Sequence, residues 1–133
     1  MTQKDKELLM RDLSPRIPYG VIVNVYGMPN VKLISVSWYG EVGVNDDSTY
    51  LYPISEVKPY LFPLSSMTDI QKKEYNILRD DAQTYHYEFG DIIEDTVLYD
   101  NCESIDYLNT HHFDYRGLIE KGLAIDATGL NVY

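Results

Sequence analysis

Residues 111–127, HHFDYRGLIEKGLAIDA, gather the side chains of this 133-residue chain that are most capable of chemistry. His111 and Asp114 stand three apart, a spacing at which two ligands on one helical turn can share a metal ion, and His112 or His86 would complete a hydrolytic centre. Cys102 with either neighbouring histidine would make a thiolate and its base. Geometry argues against both. Adjacent side chains on a helix point about 100° apart, so His111 and His112 rarely meet one ion, and a helix from 102 to 111 separates its ends by about 13 Å. A structural role asks less of the same residues. A histidine in a last helical turn faces free carbonyls, Asp114 can cap the next turn or pair with Arg116, Gly117 and Gly122 suit a tight turn and a helix end, and Phe113, Leu118, Ile119 and Leu123 can anchor the segment. We read the stretch as a structural clamp, with no catalytic residue, metal or cofactor assigned. A metal-dependent hydrolase centred on His111, His112 and Asp114 stands as an alternative. The chain contains no P-loop, GxGxxG, GxSxG, HExxH or paired CxxC.

Charge is distributed as unevenly as the histidines. The formal charge is −10, and no Lys or Arg lies between Arg79 and Arg116, whereas ten of the 21 acids do. The remaining 11 acids balance the 11 bases of the chain. An acidic belt over 80–115, including Asp91, Glu94, Asp95 and Asp100, therefore sits on an otherwise neutral chain. Such a belt repels phosphate backbones, so direct nucleic-acid binding is not expected. It suits a basic protein partner, or an inhibitor that imitates nucleic-acid phosphates, and a solvated acidic loop is the plainest account of it. The 13 tyrosines supply rings with polar tips, suited to half-buried sheets and to interfaces.

Local pattern supplies the elements that must position these groups. In residues 3–13, QKDKELLMRDL, Leu8, Leu9 and Leu13 share a helical face, Thr2 is available as N-cap and Pro15 ends the run. The β-branched run after Pro18 and the alternation of Lys32, Ile34, Val36 and Trp38 with Leu33, Ser35, Ser37 and Tyr39 predict a hairpin turning at GMPN. EVGV and TYLYPI predict a second around NDDS, and Pro59 and Pro63 predict a short or edge strand over 55–64. Thr68 with Gln71 is a capping-box pattern for a helix from 69 to about 81, with Ile70, Ile77 and Leu78 on its apolar stripe. Residues 83–99 predict loop, with strand content at Thr96 to Tyr99, and Asn101 precedes a helix over about 102–111.

Two longer motifs, YLYPISEVKPYLFPLSSMT (50–68) and YLNTHHFDYRGLIEKGLAIDA (107–127), together with DLSPRIPYGVIVNVYG near the N-terminus, resemble a family of small uncharacterised proteins of gut bacteria and their prophages and other mobile elements. The resemblance covers most of the chain outside roughly 80–100, the segment that varies in length. An arginine often stands in such proteins where Phe62 stands here, so no role of that charge is carried over. The resemblance implies cytoplasmic expression in a mobile-element setting, and no activity, cofactor or catalytic residue.

The expected fold is α+β in a single domain: an N-terminal helix, an SH3-like small antiparallel β-barrel over 18–64, and a mainly helical part over 65–133 whose 111–124 stretch clamps back onto the barrel. The leading functional expectation is a non-enzymatic protein-interaction module of a phage or mobile element, with Trp38, Tyr39, Tyr50 and Tyr52 as a contact surface. The N-terminus is charged from its fourth residue and no apolar run approaches a membrane span, so neither a secretory signal nor a membrane segment is expected. One cysteine, unable to form an internal disulfide, points to a reducing cytoplasm.

Overall fold

The chain begins with α1 (Gln3–Leu13), which starts where a reciprocal cap can form: Thr2 Oγ1 accepts from the Asp5 N–H and Asp5 Oδ2 accepts from the Thr2 N–H, both at 3.1 Å. Two of the four orphan donors of the first turn are satisfied in this way. A 3-10 helix, Ser14–Tyr19, continues it and ends at Gly20 in the left-handed region. The computed structural model describes residues 1–45 and 47–133. Contacts divide them into two compact units, Met1–Ser66 with Asn109–Tyr133, and Met67–Leu108.

In the first unit, β1 (Ile22–Val25), β2 (Met28–Val36), β3 (Glu41–Val44), β4 (Asp47–Pro53) and β5 (Val57–Pro63) pair in the order β4-β3-β2-β1-β5, all antiparallel. The five strands expected within 18–64 are present; the strand path is open, and among the described residues no pairing closes it into a barrel. The first hairpin turns at Tyr26–Gly27 and not at GMPN, because both residues take positive φ (51° and 77°), the geometry of a two-residue turn that follows strand twist, and Asn24 Oδ1 accepts from the Gly27 N–H. Met28–Asn30 are thereby released into β2. The second turn, expected at NDDS, includes Asp46 and so lies outside the described residues.

β5 is neither short nor at an edge. Val57–Pro59 pair with β1, and Tyr60–Pro63 pair in parallel with β9 (Ile125–Asp126) and β8 (Phe113–Asp114). Pro59 ends the first run and Pro63 the last, positions where a missing N–H costs a ladder least. Leu9 and Leu13 of α1, Val21, Val23 and Val25, Leu33, Val42, Ile54, Val57, Leu61, Leu118 and Leu123 form the core. Each such side chain contributes roughly 1.5–3 kcal/mol when fully buried.

The second unit departs most from expectation. It is not mainly helical: α2 (Asp69–Leu78) leads into β6 (Asp80–Glu88) and β7 (Asp91–Tyr99), a continuous hairpin in place of the predicted loop, followed by the start of α3 (Cys102–Thr110). Each strand is nine residues long, about 30 Å at the extended rise. The α2 capping box of Thr68 and Gln71 forms as its spacing implied, with contacts of 2.9 and 3.1 Å. Of the apolar stripe, Ile70 and Ile77 are exposed and Leu78 is half-buried. Among the described residues no helix is long and apolar enough to cross a membrane.

Candidate interaction surfaces

His111, His112, Asp114 and Arg116 of the clamp stretch each contact a neighbouring part of the fold. The carboxylate of Asp114 accepts from the Leu118 N–H and the Ile119 N–H, each at 3.0 Å, capping the turn that follows. That turn closes at Gly122, φ 72°, with Gly122 N–H bonding to Ile119 O and Leu123 N–H to Leu118 O, the paired bonds of a helix end. His112 takes φ 60° just past α3 and stacks on Tyr133 at 3.6 Å between ring centroids. Burial, with the neighbouring positive charge of Arg16, pulls its imidazole down to about 4, so the ring is neutral near pH 7. His111 packs against Phe113. These residues do not converge on a cation, and among the described residues no group of three His, Cys, Asp or Glu does. Cys102 is exposed.

A cluster absent from the sequence reading holds the stretch in place. Arg16, fully buried, donates from Nε and Nη2 to Asp12 at 2.9 and 3.1 Å, and from Nη2 to the carbonyl of Phe113 at 2.8 Å. Of the two alternatives for Asp114 it is the cap that forms, and Arg116 lies 3.5 Å from Asp12. The Tyr115 ring sits between the two guanidiniums, 4.8 Å from Arg16 Cζ and 5.4 Å from Arg116 Cζ. Desolvation pushes the Asp12 carboxyl upward against the pull of Arg16. The buried Asp12–Arg16 pair ties α1 to the Phe113 carbonyl and acts as a keystone of this unit. The one legible signal was the four-residue spacing of Asp12 and Arg16, obscured by Pro15 between them.

The four aromatics proposed as one surface are divided. Trp38 and Tyr39 meet edge-on, with centroids 5.5 Å apart, beside a groove of about 480 Å³ bordered by Lys6, Met10, Glu41 and Ile54. Trp38 is 87% exposed. Tyr50 and Tyr52 instead line a smaller hollow with Met28 and Val44, where Tyr52 also packs on Tyr26.

The belt is divided too. Asp100, though exposed, is partnered within its unit, accepting from the Tyr75 hydroxyl and from Ser104 Oγ, and it lies 3.6 Å from Arg79 Nε. Tyr75 and Tyr107 stack, Tyr107 donates to Glu74 and Arg79 donates to Leu98 O, fastening the base of the hairpin. Asp95 lies 3.0 Å from His86 Nδ1. Asp91 and Glu94 face solvent in the distal half, Asp91 directly opposite Glu88 and Glu94 directly opposite Tyr85. Evenly spaced carboxylates, which imitation of a phosphate backbone requires, are broken by these partnerships.

What the sequence reading missed is the apolar content of this unit. Met67–Leu108 contributes only Met67 and Leu108 to the buried hydrophobic residues, yet it exposes Ile70, Ile77, Tyr85, Tyr87, Phe89, Ile92 and Tyr99. Phe89 is 98% exposed at the hairpin turn, with φ 51°. Comparison of the chain with protein-family models, with curated proteins and with solved structures finds no match.

Proposed function

We propose that the protein is a non-enzymatic protein-interaction module. The observation that carries this reading is the Met67–Leu108 unit, which exposes seven large apolar or aromatic side chains while burying two. Exposed large apolar side chains in such number mark an interaction surface in a stable protein. The residues that could have served catalysis in the clamp are occupied as caps, stacked rings and backbone anchors. The expectation of a phage or mobile-element protein, expressed in the cytoplasm, rests on the resemblance of the two long motifs, and the antiparallel order β4-β3-β2-β1-β5 supports reading the first unit as an SH3-like small barrel left open.

Affinity capture from host lysate tests the reading, with the intact chain beside two folded variants, Tyr85→Ser/Tyr87→Ser/Phe89→Asn and Trp38→Ala/Tyr39→Ala. A stoichiometric partner retained by the intact chain and lost from one variant is the expected result. Equal capture by all three, or none, removes the support.

A further inference from the structure

Resting on that interaction reading, we propose that the open face of the β6–β7 hairpin docks a basic, apolar-faced segment of a partner protein. Cross-strand register places Tyr87 directly opposite Ile92 and Tyr85 opposite Glu94, on one face of the ribbon. All four side chains are exposed. Phe89 is exposed at the turn beyond them, so three aromatic rings and one branched side chain stand uncovered in the distal part of the hairpin. Neither edge of the hairpin pairs with a third strand among the described residues.

Charge selects the occupant. From Asp80 to Tyr99 the hairpin has six carboxylates, one histidine and no lysine or arginine. Asp81 and Glu94 share the face of Tyr85, Tyr87 and Ile92, and the other four carboxylates lie on the reverse face of the same two-stranded ribbon. A second copy of this chain would bring the same carboxylates and be repelled, and a nucleic acid or an anionic membrane would be repelled for the same reason. A segment alternating Arg or Lys with apolar residues fits both features. Its cations lie over the faces of Tyr85 and Tyr87 and beside Glu94, and its apolar side chains cover Ile92 and Phe89.

Two local choices at the tip run against stability and agree with this use. Phe89 adopts φ 51° in the turn position where Asn, Asp or Gly is normally found. Glu88 and Asp91 are directly opposed like charges, which a hairpin alone would avoid. Glu88 also lies 3.7 Å from His86 Nε2, whereas the exposed Phe89 ring has no such compensation and is open to cover by an apolar side chain of the partner.

The test uses the full chain and a fluorescent synthetic peptide in which arginine alternates with leucine, measured by anisotropy. Two control peptides replace arginine by glutamate or leucine by serine. The expected result is binding of the first peptide, weakened by salt, with both controls at least about tenfold weaker. Tyr85→Ser/Tyr87→Ser/Phe89→Asn, which leaves every charge in place, weakens binding by about tenfold or more, while Trp38→Ala/Tyr39→Ala does not. Phe89→Asn alone, which suits the turn, covers the case in which the triple variant fails to fold. Equal binding by the charge-preserving variants, or equal binding of the serine peptide, overturns the inference by reducing it to non-specific charge attraction. Loss confined to Trp38→Ala/Tyr39→Ala also overturns it, and leaves the interaction reading in place with its surface at the other groove.

Discussion

In the unit of Met1–Ser66 with Asn109–Tyr133, Asp12 is fully buried between two guanidiniums, and the neighbouring Tyr115 ring is held between the same two cations. In Met67–Leu108, Glu88 faces Asp91 across a turn and Phe89 stands uncovered between them. Carboxylate and ring serve the fold in the first case; in the second they are placed where they cost it something. Burial separates the two. A charge removed from water must be matched by partners, whereas a charge left in water can be arranged for an encounter.

The largest test of this contrast is at the keystone. Arg16→Met leaves Asp12 buried without its principal partner and is expected to lower unfolding free energy by about 3–5 kcal/mol in chemical denaturation, whereas Asp12→Leu/Arg16→Met loses much less, because both charges leave together. A double variant as unstable as the single one would mean that the pair is more than a matched burial. Next is pH. The folded state holds His112 down to about 4 while the unfolded chain protonates near the ordinary value of 6.5. Protons therefore favour the unfolded chain between those values: the stability is fully present above 6.5 and falls as pH drops toward 4, by about 2 kcal/mol after allowance for partial exposure. His112→Asn, compatible with φ 60°, should flatten that part of a stability-against-pH curve.

Changes in the hairpin should be smaller and of opposite sign. Phe89→Asn places Asn-Gly in the turn and is expected to stabilise the hairpin by about 0.5 kcal/mol, read as slower amide exchange in β6 and β7, while it weakens peptide binding. Glu88→Lys replaces the opposed like charges by an opposite pair, and a gain of about 0.3 kcal/mol is expected from the same measurement. Destabilisation by either would place the tip among the residues the fold depends on and erase the contrast.

Much of the first unit was legible because its signals are local. The Thr2 cap, the β-branched strands and the glycines that end turns each declare themselves within a few residues, as does the Thr68 cap in the second unit. The hairpin β6–β7 was not legible, since Asp80 and Asp81 open it, polar residues occupy both of its faces and its turn is Phe-Gly. Tyr26–Gly27 is built in the same way, so an aromatic followed by glycine between extended runs was the overlooked sign. Among candidate residues, short spacing left Asp114 two roles, a cap or a pair with Arg116, and packing selects the cap, while nothing local marks Arg16 as buried.

By itself, the sequence determined the capped helices, the strands of the first sheet, and a belt of ten acids without a base, all consequences of residue type and short spacing. Only the tertiary structure decided that Arg16 would meet a carbonyl 97 residues away, that His112 would be covered by Tyr133 and that β5 would be enclosed on both sides. The physical reason is that desolvation belongs to no short segment. A group's burial is set by whatever distant chain packs over it, and burial is what turned a set of apparent catalytic residues into a clamp and left Phe89 in water.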